Sequence, residues 1–271
     1  IRDNWIADMK HFCRTFQPPK GKFQTEQLVI YPLGDNRYIQ GYIDLIRENS
    51  DGTISIYDWK TSTDFKQADL IHHGRQLVLY AIAKEAEGYT VRDVSWIMLK
   101  YCEVKFMGKK RSNSKNKSEI VKVLNRGKLV SELKNHLETD LTELGYDEID
   151  IEIMLKKALD DNSLDGLPDE VRSKYTIKPY VRKYEITDEL KQEVLDYIHK
   201  IAILFESLDP DDESQWPPRK FTKTSKTGKE VNDSFFCNNL CNYRNTCVYL
   251  KRFNDQWELQ KKDADEDADL F

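Results

Sequence analysis

The chain has 271 residues, of which 39% are hydrophobic and 33% are charged, and its formal net charge is −5. This length can bury a sizeable core, and the sequence has neither an apolar run long enough to cross a membrane nor a signal peptide. We therefore expect a soluble protein without a membrane partner. The negative net charge excludes binding to nucleic acid through a global field, so such contacts need local basic patches. The first residue is Ile rather than Met, and we expect upstream sequence to be missing.

The N-terminal segments predict one helix and one strand. Residues 4–16 have amphipathic spacing and are followed by Pro18-Pro19, which ends a helix. Residues 23–33 alternate between apolar and polar side chains, as a strand does, and Glu26 lies near their start. We interpret His11, on the predicted helix, as a surface residue.

Residues 38–60 predict a β-hairpin. Two runs rich in Ile, Tyr and Trp flank Ser50-Asp51-Gly52, and a short loop that ends in Gly between β-prone runs is a hairpin signal. A loop of these residues places Asp44 directly opposite Asp58, with Cβ atoms about 4.5 to 5.5 Å apart. Lys60 lies two residues after Asp58 and points to the same face.

Two carboxylates and a lysine on one patch suit metal-assisted phosphate chemistry. Carboxylate oxygens are ligands for Mg²⁺ or Mn²⁺, which can bind a phosphate oxygen and lower the pKa of a bound water. The Lys60 ammonium could orient that water or offset charge that develops on phosphate. The alternative is a solvated hairpin with ordinary surface charges. The apolar neighbours Ile54, Ile56 and Trp59 favour an interior strand, where an unpaired Asp and Lys would be costly.

The segment after the hairpin predicts a helix followed by a strand. The helix covers residues 64–87, with a break near Gly74 and a C-terminal cap at Gly88. Gln76 and Tyr80 are four residues apart and share one face of this helix. Partial burial is the structural alternative for both side chains. Residues 91–101 predict another interior strand.

Three motifs occur in order in this part of the chain, namely Gly41-Tyr42-Ile43-Asp44, Ile56-Tyr57-Asp58-Trp59-Lys60-Thr61 and Gln76-Leu77-x-x-Tyr80. Together they resemble the RecB-type branch of the PD-(D/E)XK nucleases, which includes the nuclease domains of RecB and AddB and the CRISPR-associated RecB-like exonucleases. The resemblance implies an α/β fold with a restriction-endonuclease-like core, in which helices flank a mixed central sheet and which carries a helical insertion.

The same resemblance implies roles for individual residues. Asp44 and Asp58 would be ligands of Mg²⁺ or Mn²⁺, with a possible contribution from the backbone carbonyl of Trp59. Lys60 would be catalytic, and Gln76 and Tyr80 would lie beside the site. Members often carry a histidine ligand on an upstream helix. The context of His11 does not match that histidine, which we expect to precede the present chain.

The implied function is metal-dependent hydrolysis of DNA phosphodiesters in replication, recombination or repair. We expect an exonuclease that acts on single strands or DNA ends, in the cytoplasm of a bacterial or bacteriophage-infected cell. The alternatives are a structure-specific endonuclease and a catalytically silent iron-sulfur scaffold that binds DNA.

Residues 104–128 contain nine Lys or Arg and one acidic residue, Glu119. We interpret them as a flexible basic loop, which could follow a DNA backbone or be merely solvated. Residues 132–170 are acidic and helical in pattern, typical of an insertion. Residues 180–186 predict a strand, and Thr187 caps a helix that ends near Leu208. Residues 219–229 predict a second loop with five cations, after a break at Trp216-Pro217-Pro218.

Three of the five cysteines, Cys237, Cys241 and Cys247, lie close together, and without a secretory signal this favours metal binding over disulfides. Their spacing resembles the C-terminal cluster of the iron-sulfur members of the family, which implies a [4Fe-4S] cluster. Structural Zn²⁺ is the alternative. The fourth ligand could be Cys13 or an upstream Cys, and Cys102 is interpreted as a small core residue.

The last segment, residues 263–271, has five acidic residues and ends in Leu270-Phe271. It is too polar to fold alone. It resembles tails that dock on sliding clamps or the acidic tip of single-strand-binding proteins, and solvation is the alternative. The predicted organisation is a first core part (1–103), the basic loop with the helical insertion (104–178), a core-completing strand, helix and cysteine cluster (179–254), and an acidic disordered tail (255–271).

Overall fold

The computed structural model describes residues 2–16, 21–108, 118–216 and 218–268. It divides into two compact units, Ile1–Lys200 and Ile201–Phe271. Four predicted features lie wholly or partly outside the described residues: the helix stop at Pro18-Pro19, the centre of the basic loop (109–117), Pro217 and the end of the tail (269–271).

Within the described residues, the first unit contains a six-stranded mixed sheet. Its strands are β1 (Lys22–Gly34), β2 (Arg37–Glu48), β3 (Ile54–Lys60), β4 (Val91–Met107), β5 (Glu119–Asn125) and β6 (Thr176–Tyr184). Strands β3 and β4 are parallel, and the other pairs are antiparallel. The long strand β4 pairs first with β3 and then with β5 along one edge, and with β6 along the other. The sheet is therefore centred on β4.

The helices are α1 (Arg2–Thr15), α2 (Leu70–Ala86), α3 (Leu129–Glu143), α4 (Glu148–Asp161), α5 (Asp169–Arg172), α6 (Asp188–Ser207), α7 (Phe235–Asn239) and α8 (Val248–Ala268). Helix α2 packs on the sheet through Leu77, which is buried with Ile56 and Trp96. A second core forms where Leu133 and Leu137 of α3 meet the far half of β4. This arrangement confirms the predicted fold class. No described helix combines the length and apolarity needed to cross a membrane.

The predicted basic loop is wrong for the part that the structure describes. Residues 104–107 continue β4, and residues 119–125 form β5, so the segment is two paired strands followed by a short 3-10 turn. The physical reason at the end of β4 is a period of two: Val104 and Phe106 are buried, and Lys105 between them is exposed. Residues 119–125 pair with this part of β4, and their Leu124 is buried against it. The predicted boundary between residues 103 and 104 falls inside β4.

Helix α2 is continuous through Gly74, so the predicted break is also wrong. A Cβ atom at this position would lie 2.2 Å from the ring of Tyr184, and the glycine therefore lets the helix approach β6 closely. The predicted cap at Gly88 is confirmed: its φ is +93°, and the Tyr89 amide donates to the Lys84 carbonyl at 3.0 Å.

The second unit differs from its predicted form in two places. The predicted loop 219–229 contains β7 (Thr222–Thr224), which pairs with β8 (Glu230–Asn232). Helix α8 runs to Ala268 and so includes residues 255–268, where we predicted a disordered tail. An acidic composition without glycine or proline is compatible with a helix that continues from an apolar start.

Candidate functional site

The turn between β2 and β3 sets the geometry of the site. The Asn49 amide donates to the Thr53 carbonyl at 2.8 Å, and Gly52 closes the loop by donating to the Asn49 carbonyl at 3.1 Å. The φ of Gly52 is +82°, a left-handed conformation that a side chain would disfavour. Asp51 accepts from the Thr53 amide at 3.1 Å. The loop therefore has the length and the glycine position predicted from the sequence.

This turn fixes the register of the two strands that carry the carboxylates. Leu45 pairs with Tyr57, and one further step in the same register places Asp44 against Asp58. The Trp59 amide donates to Oδ2 of Asp44 at 2.8 Å, which holds that carboxylate beside β3. The two aspartates thus meet on neighbouring strands, as predicted.

Asp58 is a buried carboxylate that lies beside one cation and one like charge. Its side chain is 3% exposed, and burial, followed by a smaller contribution from the charge of Asp44, raises its pKa, while the Lys60 ammonium opposes the rise. The Lys60 Nζ atom lies 2.5 Å from Asp58 Oδ2. At this distance the ammonium is a charged partner for that buried oxygen.

Lys60 begins a chain of hydrogen bonds that ends on the backbone of β2. Its ammonium donates to Oε1 of Gln76 at 3.2 Å, and Nε2 of Gln76 donates to the Tyr80 hydroxyl at 2.8 Å. That hydroxyl donates to the Tyr42 carbonyl at 2.7 Å. Burial, with smaller contributions from nearby carboxylates, raises the pKa of Tyr80, so its hydroxyl stays a donor at neutral pH. The structure brings together all five predicted site residues: Asp44, Asp58, Lys60, Gln76 and Tyr80.

The sheet surface under α2 is shaped to admit the Tyr80 ring. A Cβ atom on Gly41 would lie 3.1 Å from Cε1 of Tyr80, tighter than an ordinary contact. The glycine therefore lets Tyr80 reach the carbonyl of Tyr42, the next residue. Gln76 and Tyr80 lie one helical turn apart, and their side chains can link because they share this face of α2.

A family model described as the PD-(D/E)XK nuclease superfamily matches residues 4–248. The chain belongs to this superfamily. Membership implies a metal-dependent nuclease, and superfamily members generally use Mg²⁺ or Mn²⁺. Neither the curated proteins nor the solved structures compared with the chain gave a match.

The carboxylates of this PD-(D/E)XK nuclease suit a hard divalent cation. Such ions prefer oxygen ligands, and the buried Asp58 carboxylate lies close enough to Asp44 for the charge of Asp44 to raise the pKa of Asp58. Two neighbouring carboxylates repel each other, and a cation between Asp44 and Asp58 would offset that repulsion. The residues present therefore fit the expected metal.

Glu26 is a third carboxylate near the site, and the sequence motifs gave it no role. It lies on β1 between Thr25 and Gln27, which pair with the residues on either side of Asp44. Its φ of +50° is unusual for a residue other than glycine, and its charge contributes to the raised pKa of Tyr80. Only the register of the β1–β2 pair, which the sequence did not predict, could have identified it.

Helix α1 contacts the strand that carries Asp58. The rings of Phe12 and Phe16 lie 6.1 and 5.7 Å from the Trp59 ring, in edge-on arrangements. His11, on the same helix, is 3% exposed, so its interpretation as a surface residue is wrong. Its Nδ1 lies 3.5 Å from Nη1 of the buried Arg126. Burial was missed because it depends on a residue far along the chain.

The buried His11 should make stability depend on pH in the acid range. Burial, followed by the charges of Arg126 and Arg14, lowers its pKa from 6.5 to about 4. The unfolded chain binds more protons between these values, so the free energy of unfolding should fall as the pH drops from 6.5 towards 4. This group contributes no more than about 3 kcal/mol to that fall. Asp8 lies close to Arg126 and partly offsets its charge.

The measurement is urea unfolding at neutral pH and at about pH 4.5. His11→Gln should remove this part of the pH dependence. His72→Gln, at an exposed histidine, is the matched control and should retain the wild-type dependence. An equal loss of stability on acidification in wild type and His11→Gln would contradict the assignment.

The structure does not gather the cysteines into a metal site. Cys237 lies on α7, and Cys241 and Cys247 follow it, each half-buried. Among the described residues, no three or more His, Cys, Asp or Glu side chains are arranged to hold a metal ion. Cys13 is exposed and belongs to the other unit. Cys102 is buried, and burial raises its pKa to about 11, which confirms its interpretation as a core residue.

Proposed function

We propose that the chain is a RecB-like deoxyribonuclease that depends on Mg²⁺ or Mn²⁺ and acts as an exonuclease on single strands or DNA ends. The observation that carries the proposal is the convergence of the buried Asp58 carboxylate with Asp44 and Lys60 on β2 and β3. A surface hairpin with ordinary charges would leave these groups solvated. Its proposed setting is replication, recombination or repair in the cytoplasm of a bacterial or bacteriophage-infected cell.

Asp44 and Asp58 would hold the metal ion. When bound, the ion supplies Lewis acidity towards the phosphate and lowers the pKa of the attacking water. The Trp59 amide keeps one Asp44 oxygen in place, which leaves the other oxygen of that carboxylate for the ion. The backbone carbonyl of Trp59 is a further candidate ligand.

Lys60 would act on the phosphate or on the attacking water. An ammonium has three N–H donors, and Gln76 accepts one of them. The contact with Asp58 keeps the ammonium at the carboxylates. A remaining donor can offset charge on a phosphate oxygen in the transition state. Gln76 and Tyr80 would act as positioning residues, because they connect Lys60 to the fixed backbone of β2.

The proposal has two further parts, which rest on the sequence. The spacing of Cys237, Cys241 and Cys247 supports a [4Fe-4S] cluster, with structural Zn²⁺ as the alternative. The acidic segment ending in Leu270-Phe271 supports docking to a sliding clamp or a single-strand-binding protein. Large apolar side chains would enter a pocket of the partner while the acids meet a basic rim.

The test compares end-labelled linear single strands with circular single strands, each incubated with Mg²⁺, Mn²⁺ or EDTA. We expect the linear strand to shorten from an end in either metal, the circle to persist, and EDTA to stop cleavage. Cleavage of the circle would support a structure-specific endonuclease instead. Binding without cleavage of any DNA would support a silent scaffold.

A further inference from the structure

A cavity of about 410 Å³ lies beside the candidate site, between the β1–β2 pair and α2. Val29 and Tyr31 of β1 and Ile39 of β2 line it, and α2 contributes Gln76 and Tyr80. A larger cavity of about 650 Å³ lies between α3 and α4, but no residue of the site lines it. Volume alone therefore does not identify the functional cavity. The smaller cavity is the candidate because it shares Gln76 and Tyr80 with the site.

The chemistry of the lining restricts what can occupy the smaller cavity. None of the side chains that line it is charged, so it offers no partner for a phosphate or a carboxylate. Val29, Ile39, Leu79 and Ala83 are aliphatic, and Tyr31 adds an aromatic ring. The Gln40 and Gln76 amides supply donors and acceptors. An occupant with apolar faces and a polar edge matches this lining, and the volume lies within the range of small-ligand pockets.

Gln76 connects the cavity to the reaction centre. Its amide oxygen accepts from Lys60, and its amide nitrogen donates to Tyr80, so one side chain borders both the cavity and the proposed phosphate position. We propose that this cavity binds a nucleobase of the substrate strand, next to the phosphate that is cleaved. The inference rests on the nuclease function proposed above and deepens it by specifying the substrate.

The assignment has a consequence for strand preference. A base in the cavity has left its stack, and it cannot be paired at the same time. Removing a base from a duplex costs free energy that is smallest where the nucleotide is already single-stranded. Contacts between bases and aromatic side chains are tolerant of sequence. The cavity therefore selects single strands or frayed ends without reading one particular base.

The experiment fills the cavity and, separately, removes the base. Ile39→Trp places a large side chain in the lining at a half-buried position. Ile30→Trp makes the same change on the neighbouring strand, where Ile30 is 53% exposed and outside the lining. A short labelled oligodeoxythymidylate is titrated with each protein in Ca²⁺. A second series carries one abasic sugar at successive positions from the end.

For wild type and Ile30→Trp, we expect one abasic position to weaken binding by about five- to hundredfold, the range for one stacked base. The affinity of Ile39→Trp for the intact strand should equal the affinity of wild type for that abasic strand. Removing the same base should not weaken binding to Ile39→Trp any further. Equal affinity of Ile39→Trp and wild type for the intact strand would overturn the proposal. An equal loss of affinity in both proteins when the base is removed would also overturn it.

The abasic series on wild type alone tests the proposal if Ile39→Trp does not fold. Base-dependent binding without cleavage in Mg²⁺ or Mn²⁺ would support the cavity assignment and overturn the nuclease function.

Discussion

Replacing Lys60 or Asp58 with alanine should abolish metal-dependent cleavage, with a loss of roughly 10³-fold or more. Lys60→Ala removes the ammonium that is held between Asp58 and Gln76, and so removes charge stabilisation at the phosphate. Asp58→Ala removes one of the two carboxylates that would hold the ion. The fold should persist, and so should binding of DNA, because both variants keep the side chains that line the proposed base cavity.

The measurement is the initial rate of cleavage of an end-labelled single strand, with circular dichroism to verify folding. Lys22→Ala is the matched control for Lys60→Ala, since the Lys22 side chain is 84% exposed and lies at the start of β1. It should cleave at the wild-type rate. Wild-type activity in Lys60→Ala, in a preparation free of host nuclease, would be incompatible with the assigned role.

A second measurement separates metal binding from catalysis. A ligand that binds only the folded protein adds RT ln(1 + [L]/Kd) to the free energy of unfolding. Mn²⁺ should therefore raise the thermal midpoint of wild type and of Lys60→Ala, and it should raise that of Asp58→Asn much less. An equal rise in all three proteins would place the ion elsewhere.

The hairpin was predictable because its information is local. A three-residue loop that ends in glycine fixes one register, and that register alone places Asp44 against Asp58. The helix face that carries Gln76 and Tyr80 follows from a spacing of four. No long-range contact was needed to infer either feature, and together they account for most of the candidate site.

The features that were missed depend on partners distant in sequence. The burial of His11 depends on Arg126, and the continuity of α2 at Gly74 depends on the ring of Tyr184. Strand β5 was not predicted for a different reason: the nine basic residues of 104–128 are typical of a loop, although the apolar residues of Glu119–Asn125 favour a strand. The position of Glu26 near Asp44 and the cavity lined by β1 and β2 both depend on the register of the β1–β2 pair.

Replacing Cys241 with serine should remove both colour and stability if Cys237, Cys241 and Cys247 hold iron and sulfide. Protein purified without oxygen should be brown, with broad visible absorbance that is lost on oxidation. Since a site formed by ligands from separate segments contributes its binding free energy to folding, losing one ligand should cost several kcal/mol of stability. Cys13→Ser tests the fourth ligand: it should have the same effect if Cys13 completes the site, and none if another residue does.

Cys102→Ala is the matched control, because this thiol is buried in the core and its pKa is raised by burial. It should lose packing stability while it keeps the wild-type content of iron and sulfide. A colourless protein with stoichiometric zinc would replace the cluster with a structural zinc site, since three thiolates and one further ligand satisfy tetrahedral zinc. A protein with neither metal would instead agree with the arrangement in the structure, where the described cysteines form no metal-binding group. The second unit would then be stabilised by its own packing. One such contact joins Phe221 and Phe253, whose ring centroids lie 5.0 Å apart.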